Sequence, residues 1–140
     1  MGFMKRMFGG GVPDDIQKLI DTFAIEGGSN AQKQMKWDAA DRLVSMGGRA
    51  VQPLIGALNH GKATVRGYSA QALGDIGDSR AVSPLINILR SDRDPAVREA
   101  AAYALGKIGD SQASSALNQA VTDSDSGVRQ AAQDALRQLR

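Results

Sequence analysis

Apolar side chains recur along the chain at the three- and four-residue intervals of an amphipathic helix. Asp94 and Pro95 precede one such stripe as a helix N-cap and a first helical residue, and Gly109 follows it as a helix-ending residue. Pro84 lies near the start of another stripe, where its missing N–H costs little. The pattern predicts an all-α chain. The two clearest stripes are Val82, Leu85, Ile86 and Leu89, and Val97, Ala101, Leu105 and Ile108.

The stripes belong to an internal repeat, which is the sequence signature of a solenoid. The segment 65–79 aligns with 97–111 with most positions identical, a third copy begins at Val128, and a weaker copy includes Leu43. Each unit contains two predicted helices, which bury their apolar stripes only by stacking on neighbouring units. We predict about eight helices in stacked antiparallel pairs. The predicted organisation is a flexible tail at 1–12 and a repeat domain at 13–140, with a half-unit at 13–26, repeats at about 30–59, 61–90 and 93–122, and a final half-unit at 126–140.

The repeated motif is Asp-x-x-x-x-Val-Arg-x-x-Ala-x-x-x-Leu-Gly-x-Ile-Gly-Asp, followed by Ala-Val-x-Pro-Leu-Ile. It resembles the HEAT-like repeats of the phycobiliprotein-lyase (PBS lyase) family over roughly residues 30–140. The resemblance implies a right-handed α-α superhelix, the HEAT-like solenoid. It also implies a ladder between repeats, in which an Asp before a first helix and an Arg just inside it form ion pairs. The ladder positions are Arg66, Asp92, Arg98, Asp123 and Arg129.

The ladder is expected only in the C-terminal half of the chain, because Asn30 and His60 occupy the two earlier aspartate positions. Lys36 occupies the first arginine position. If the pairs are exposed, each should contribute about 0–1 kcal/mol to stability.

The resemblance further implies that the second helix of each unit lines a concave face on which partners dock. The outward positions there are small and rich in amides, so they can hydrogen-bond a peptide but offer no general acid, nucleophile or ligand set. We therefore predict a non-enzymatic protein-interaction scaffold. The candidate partner-binding residues are Gln52, Asn59, Ser83, Asn87, Arg90 and Gln119.

Two alternatives stay open. One is a bilin lyase or a lyase-like subunit, which the resemblance suggests. The other is a nucleic-acid edge binder, since Arg66, Arg98 and Arg129 recur along one edge. Neighbouring acidic residues argue against the second alternative, as does the balance of 17 Lys and Arg against 15 Asp and Glu.

Composition limits the chemistry further. The chain has no Cys and one His, which excludes thiolate zinc sites and cysteine nucleophiles. The segment 56–62 fits the first seven positions of a P-loop, but Ala63 replaces the Ser or Thr and no strand precedes it. The segment 123–127 is similar to a calcium loop but lacks the glycine at the sixth position. We expect no catalytic residue, no metal and no cofactor.

Some features are ambiguous from the sequence. Residues 1–8 place Phe and Met around a basic pair, which suits either a membrane or partner hook or a disordered tail. Trp37 is expected as a lid over the first layer or as an exposed hot spot. Leu136 and Leu139, if partly exposed, would permit an end-to-end homodimer. No apolar run spans a membrane, and we expect a cytoplasmic protein.

Overall fold

The computed structural model describes residues 11–140, so the N-terminal hook predicted within residues 1–8 lies outside the described part of the chain. Within that part the fold is all-α, with eight helices and no strand, as predicted. Two short 3₁₀ turns, at Ser79–Ala81 and Ser111–Ala113, precede the fifth and seventh helices. The helices are α1 (Asp14–Thr22), α2 (Asn30–Met46), α3 (Gly48–Ala57), α4 (Ala63–Ile76), α5 (Val82–Ser91), α6 (Pro95–Ile108), α7 (Ser114–Ala120) and α8 (Ser126–Gln138).

Local polar residues define where these helices begin and end. Ser29 and Gln32 form a reciprocal capping box at the start of α2. The Asp94 carboxylate accepts a hydrogen bond from the Ala96 N–H at 2.9 Å, and Pro95 follows it as the first residue of α6. Gly109 ends α6 with a φ of +75°, a left-handed conformation that favours glycine. The predicted boundaries of α6 are therefore confirmed.

The helices form two layers. The first helices of the repeats are α2, α4, α6 and α8, and the second helices are α1, α3, α5 and α7. The space between the layers is filled by aliphatic side chains, and Phe23 of the leading half-unit stacks on Tyr68 with ring centroids 5.2 Å apart. All four members of the α6 stripe are buried, as predicted. The largest fully buried aliphatic side chains are Ile16, Leu43, Leu54, Leu73, Leu85, Leu105 and Leu117.

Adjacent first helices approach each other very closely at two glycines. A Cβ added to Gly74 would lie 2.5 Å from the Ala104 Cα, and one added to Gly106 would lie 2.8 Å from the Ala135 Cα. The second helices contact one another far less. Arg137 occupies the equivalent position in α8, where its side chain is mostly exposed.

The C-terminal residues fold back against the end of α6. The Arg140 N–H donates to the Gly109 carbonyl at 3.0 Å. Leu136 and Leu139 are half-buried. The end-to-end homodimer that depends on these two leucines stays a prediction.

Candidate functional site

All of the predicted partner-binding side chains are exposed, and all except Asn59 lie on the second helices. Asn59 was expected on α3, but that helix ends at Ala57, so Asn59 lies in the turn that follows it. We call the surface that they form on α3, α5 and α7 the second-helix face. Two of its members connect consecutive repeats, because the Arg90 Nε donates to the Gln119 Oε1 at 3.2 Å. The face therefore carries hydrogen-bonding groups on neighbouring helices. Its members are Gln52, Asn59, Ser83, Asn87, Arg90 and Gln119.

A cleft of about 560 Å³ opens at the N-terminal end of this face, between α1 and α3. Gln52 and Asn59 line this second-helix cleft; the candidate residues of α5 and α7 are not part of it. The cleft combines an apolar lining with polar groups able to orient a ligand, which is the usual composition of a binding pocket. Its other lining residues include Gln17, Ile20, Arg49, Pro53, Gly56, Ala57 and His60.

The ladder residues form two buried, bidentate ion pairs. The Arg66 Nε and Nη2 donate to the Asp92 carboxylate at 2.8 and 3.2 Å, and the Arg98 Nε and Nη2 donate to the Asp123 carboxylate, both at 3.0 Å. Each arginine therefore pairs with the aspartate of the following repeat. The side chains are at most 15% exposed, so the small value expected for exposed pairs does not apply.

The two ends of the ladder differ from its middle. The Arg129 Nη1 donates to the Asp123 and Ser124 carbonyls at 2.7 and 3.1 Å, and no carboxylate within residues 11–140 lies at ion-pair distance from it. At the other end the buried Lys36 lies 5.9 Å from the centroid of the Tyr68 ring, a cation–π arrangement. Arg66 and Arg98 are neutralised by their aspartates, whereas Arg129 keeps its charge, so the three arginines do not form a continuous basic edge for nucleic acid.

Ion pairs in the structure shift the pKa values of their own side chains. The hydrogen bond from the Arg98 side chain, with a weaker one from the Asp125 N–H, holds the pKa of Asp123 below its usual range against the effect of burial. The same hydrogen bond raises the pKa of Arg98. At the start of a 3₁₀ turn, the Arg80 side chain lowers the pKa of Asp78 to about 2. These groups are charged structural pairs at neutral pH.

The motifs that suggested chemistry have structural roles here. Gly56 lies inside α3, without the strand and loop that a P-loop requires. Asp125 caps α8 by accepting a hydrogen bond from the Val128 N–H at 3.0 Å, and the His60 Nδ1 accepts one from the Lys62 N–H at 3.0 Å.

The described residues contain no cluster of metal-ligating side chains and no membrane-spanning helix. No group of three or more His, Asp or Glu side chains could hold a metal ion there. None of the helices in the same part of the chain is both long and apolar enough to cross a membrane.

The sequence did not reveal a second surface, which lies across the first helices. A cleft of about 350 Å³ lined by Trp37 continues into one of about 620 Å³ lined by Tyr103, and the two share Gln71, Ala96 and Ala100. We call this continuous depression the first-helix groove. Trp37 is 54% exposed on its rim, so it does not serve as a buried lid. The feature of the sequence that could have indicated this groove is a set of small residues at outward positions of the first helices: Ala63, Gly67, Ala96, Gly127 and Ala131.

Solved structures share this architecture. A chain from the complex of CpcE and CpcF of phycocyanin lyase from Nostoc sp. PCC7120 is 28% identical, with a TM-score of 0.78 over 89% of this chain and 77% of that one. Human deoxyhypusine hydroxylase in complex with glycerol is 26% identical, with a TM-score of 0.70 over 91% of this chain and 44% of that one. The chain thus spans less than half of the hydroxylase.

No curated protein matches the sequence at a significant level. The family model described as HEAT repeats matches residues 32–137, which is most of the chain. That range includes the whole of the two buried ion pairs and the repeated first and second helices from α4 to α7. Together with the likeness to the phycocyanin lyase structure, this match confirms the predicted HEAT-like, PBS-lyase-type repeat. The chain belongs to the HEAT repeat family.

Proposed function

We propose that this chain is a non-enzymatic scaffold that binds a protein segment on its second-helix face. The observation that carries the proposal is the row of exposed amide, hydroxyl and guanidinium groups on α3, α5 and α7, with the second-helix cleft at one end. Amide side chains both donate and accept hydrogen bonds, so such a row suits the alternating N–H and C=O groups of a peptide backbone. The absence of Cys is compatible with the cytoplasmic location that we propose for it.

The arrangement supports both affinity and specificity. The Arg90 side chain is oriented by Gln119, so less of its conformational freedom is lost when it binds a carbonyl or carboxylate. Apolar lining residues such as Ile20 and Pro53 offer a pocket for an anchoring side chain. The similar phycocyanin lyase structure is itself a complex of two proteins, which also favours a protein partner.

The proposal is tested by affinity capture from a lysate of the source organism. The double variant Asn87→Glu, Arg90→Glu places new negative charge at the centre of the second-helix face. Gln34→Glu, Arg42→Glu is the matched control, because it makes the same charge change at exposed positions of α2. We expect a protein that is captured by the wild type and by the control but not by the double variant. Once purified, this protein should bind the wild type and the control with similar affinity and the double variant more weakly. Equal capture by all three baits would contradict the proposal.

A lyase-like subunit is a second candidate, favoured by the 28% identity to a phycocyanin lyase chain of which this chain covers 77%. Its test is incubation of the chain with a free bilin and with an apo-phycobiliprotein, followed by absorbance of the protein fraction. A coloured adduct that forms only when this chain is present would replace the scaffold proposal. If the protein fraction stays colourless, alone and with the captured partner added, the lyase candidate fails.

A further inference from the structure

We infer that the first-helix groove is a second docking surface, for a peptide segment that carries Lys or Arg on both sides of a bulky apolar side chain. This surface lies on the opposite layer of helices from the second-helix face. The inference therefore goes beyond the proposed function, and either can fail without the other.

The shape of the groove follows from its small residues. Gly67 and Ala63 of α4 and Ala96 of α6 line the cleft beside Trp37, and Gly127 and Ala131 of α8 line the continuation. A Cβ added to Gly67 would meet no atom within 4 Å, so the space above it is open. The first helices are held together through Gly74 and Gly106 elsewhere along their length, so these outward small residues leave a surface depression.

Aromatic side chains line the groove. Trp37 is 54% exposed and Tyr103 is 39% exposed, and both provide apolar surface for an anchoring side chain. The Tyr103 hydroxyl donates to the Asp75 Oδ1 at 2.8 Å, which orients its ring. Trp and Tyr are enriched among the residues that contribute most to protein–protein binding.

The charged side chains that line the groove favour a basic peptide. Its charged lining residues, within the part of the chain that the structure describes, are Asp94, Glu99 and Asp134, and all are acidic. Asp94 caps α6, and Asp134 accepts a hydrogen bond from Arg137 at 3.2 Å. Glu99 has no cation of residues 11–140 within ion-pair distance. A basic side chain next to the anchor would neutralise this carboxylate, whereas an acidic peptide would be repelled.

The groove is long enough for a short extended segment. It crosses from α2 to α8, and adjacent packed helices are roughly 8–10 Å apart, so it extends over about 25–30 Å. An extended peptide rises by about 3.3 Å per residue, which corresponds to roughly eight or nine residues.

The test is selection of a phage-displayed library of random dodecapeptides on the full chain. Gly67→Gln is the blocking variant, because its side chain would occupy open space in the groove and Gln is a better helix former than Gly. Gly56→Gln is the matched control, since a Cβ at Gly56 also meets no atom within 4 Å but faces the second-helix cleft. Thermal unfolding by circular dichroism verifies that both variants are folded.

We expect the selected peptides to share Lys or Arg flanking Leu, Phe, Met or Trp. Gly67→Gln should weaken their binding at least tenfold and Gly56→Gln should leave it unchanged. Glu99→Gln, which keeps the shape of the groove, should raise their Kd by about twofold to fivefold, and this difference should shrink at high salt.

Three outcomes would overturn the inference. One is that no peptide is enriched. Another is that the enriched peptides are acidic or uncharged. The third is that Gly56→Gln, rather than Gly67→Gln, abolishes binding; that result would support the second-helix face instead and so separates the two proposals.

Discussion

The Arg66 guanidinium binds both carboxylate oxygens of Asp92, although Asp92 lies 26 residues later, in the following repeat. The same Asp92 Oδ1 accepts a hydrogen bond from the Asp94 N–H at 2.9 Å, at the turn into α6. One carboxylate therefore connects a neighbouring repeat to the start of its own first helix. Because the two side chains are at most 8% exposed, removing either partner leaves a charge that water cannot readily solvate.

We expect Asp92→Ala to lower the free energy of unfolding by about 3 kcal/mol, because Arg66 is then buried without a counter-ion. Urea unfolding followed by circular dichroism measures this change. Asp15→Ala is the control, since Asp15 and Arg49 are exposed and 3.8 Å apart, and it should change stability by less than about 0.5 kcal/mol. Equal effects of the two variants would contradict the inter-repeat role of Asp92.

The pKa of Asp123 leads to a prediction about acid stability. Because this pKa is lowered in the folded chain, Asp123 stabilises the fold fully above the unfolded value of about 3.9. That stabilisation is lost as the pH falls through the lower folded pKa. We expect the free energy of unfolding to decrease between about pH 5 and pH 2, and the decrease to be shallower in Asp123→Asn. Superimposable slopes for the two proteins would show that Asp123 does not contribute.

Two glycines of α4 should respond to the same substitution in opposite directions. Gly74→Ala would place its Cβ 2.5 Å from the Ala104 Cα, so α4 and α6 must separate, and we expect a loss of about 1–3 kcal/mol. Gly67→Ala meets no atom within 4 Å and should stabilise the helix by about 0.5–1 kcal/mol. Thermal unfolding of both variants measures the difference. A neutral Gly74→Ala would show that the first helices are not in tight contact there.

Removal of the Ser69 hydroxyl group should stabilise the fold. Its hydroxyl oxygen is fully buried and has no hydrogen-bond partner among the described residues, while the equivalent residues of later repeats are Ala101 and Ala132. We expect Ser69→Ala to stabilise the fold by about 1 kcal/mol, measured by urea unfolding. The exposed Ser83→Ala should change stability by less than about 0.5 kcal/mol. Destabilisation by Ser69→Ala would reveal a partner for its hydroxyl.

Leu105 lies at the centre of the best-defined repeat and is fully buried. We expect Leu105→Ala to cost about 2–5 kcal/mol, because the truncated side chain leaves a cavity that α6 cannot close. The half-buried Leu139→Ala should cost clearly less in the same unfolding assay. A cost below about 1 kcal/mol for Leu105→Ala would contradict the assignment of this position to the core.

Much of the fold could be predicted because the repeat fixes both the helix boundaries and the buried positions. Asp94, Pro95 and Gly109 act locally, so their roles in bounding α6 could be inferred from the sequence alone. The pairing of Arg66 with Asp92 required the resemblance to HEAT-like repeats, since the two residues are far apart in the chain. The burial of this pair was not predicted, because it depends on how closely two repeats approach each other.

The surfaces were harder to predict from the sequence. The exposure of Asn87 and Arg90 follows from the helical period, but nothing local indicates which exposed positions bind a partner. Trp37 could not be assigned because later repeats have Gly67 and Glu99 at its position. The first-helix groove was missed because nothing in the sequence distinguishes an outward alanine such as Ala96 from one that faces a neighbouring helix. Whether a small residue receives a neighbouring helix or leaves a cleft is decided by tertiary structure.

The contacts of Gly74 with Ala104 and of Gly106 with Ala135 have a mechanical consequence. They hold the first helices together along one edge of the solenoid, while the second helices contact one another much less. A bending force should therefore increase or decrease the spacing of the second helices, with the first-helix edge acting as the hinge. The distances from Asn59 to Asn87 and from Asn87 to Gln119 would then change as the solenoid bends. The second-helix face can in this way adjust its spacing to a bound partner while the contacts of the first-helix edge stay intact.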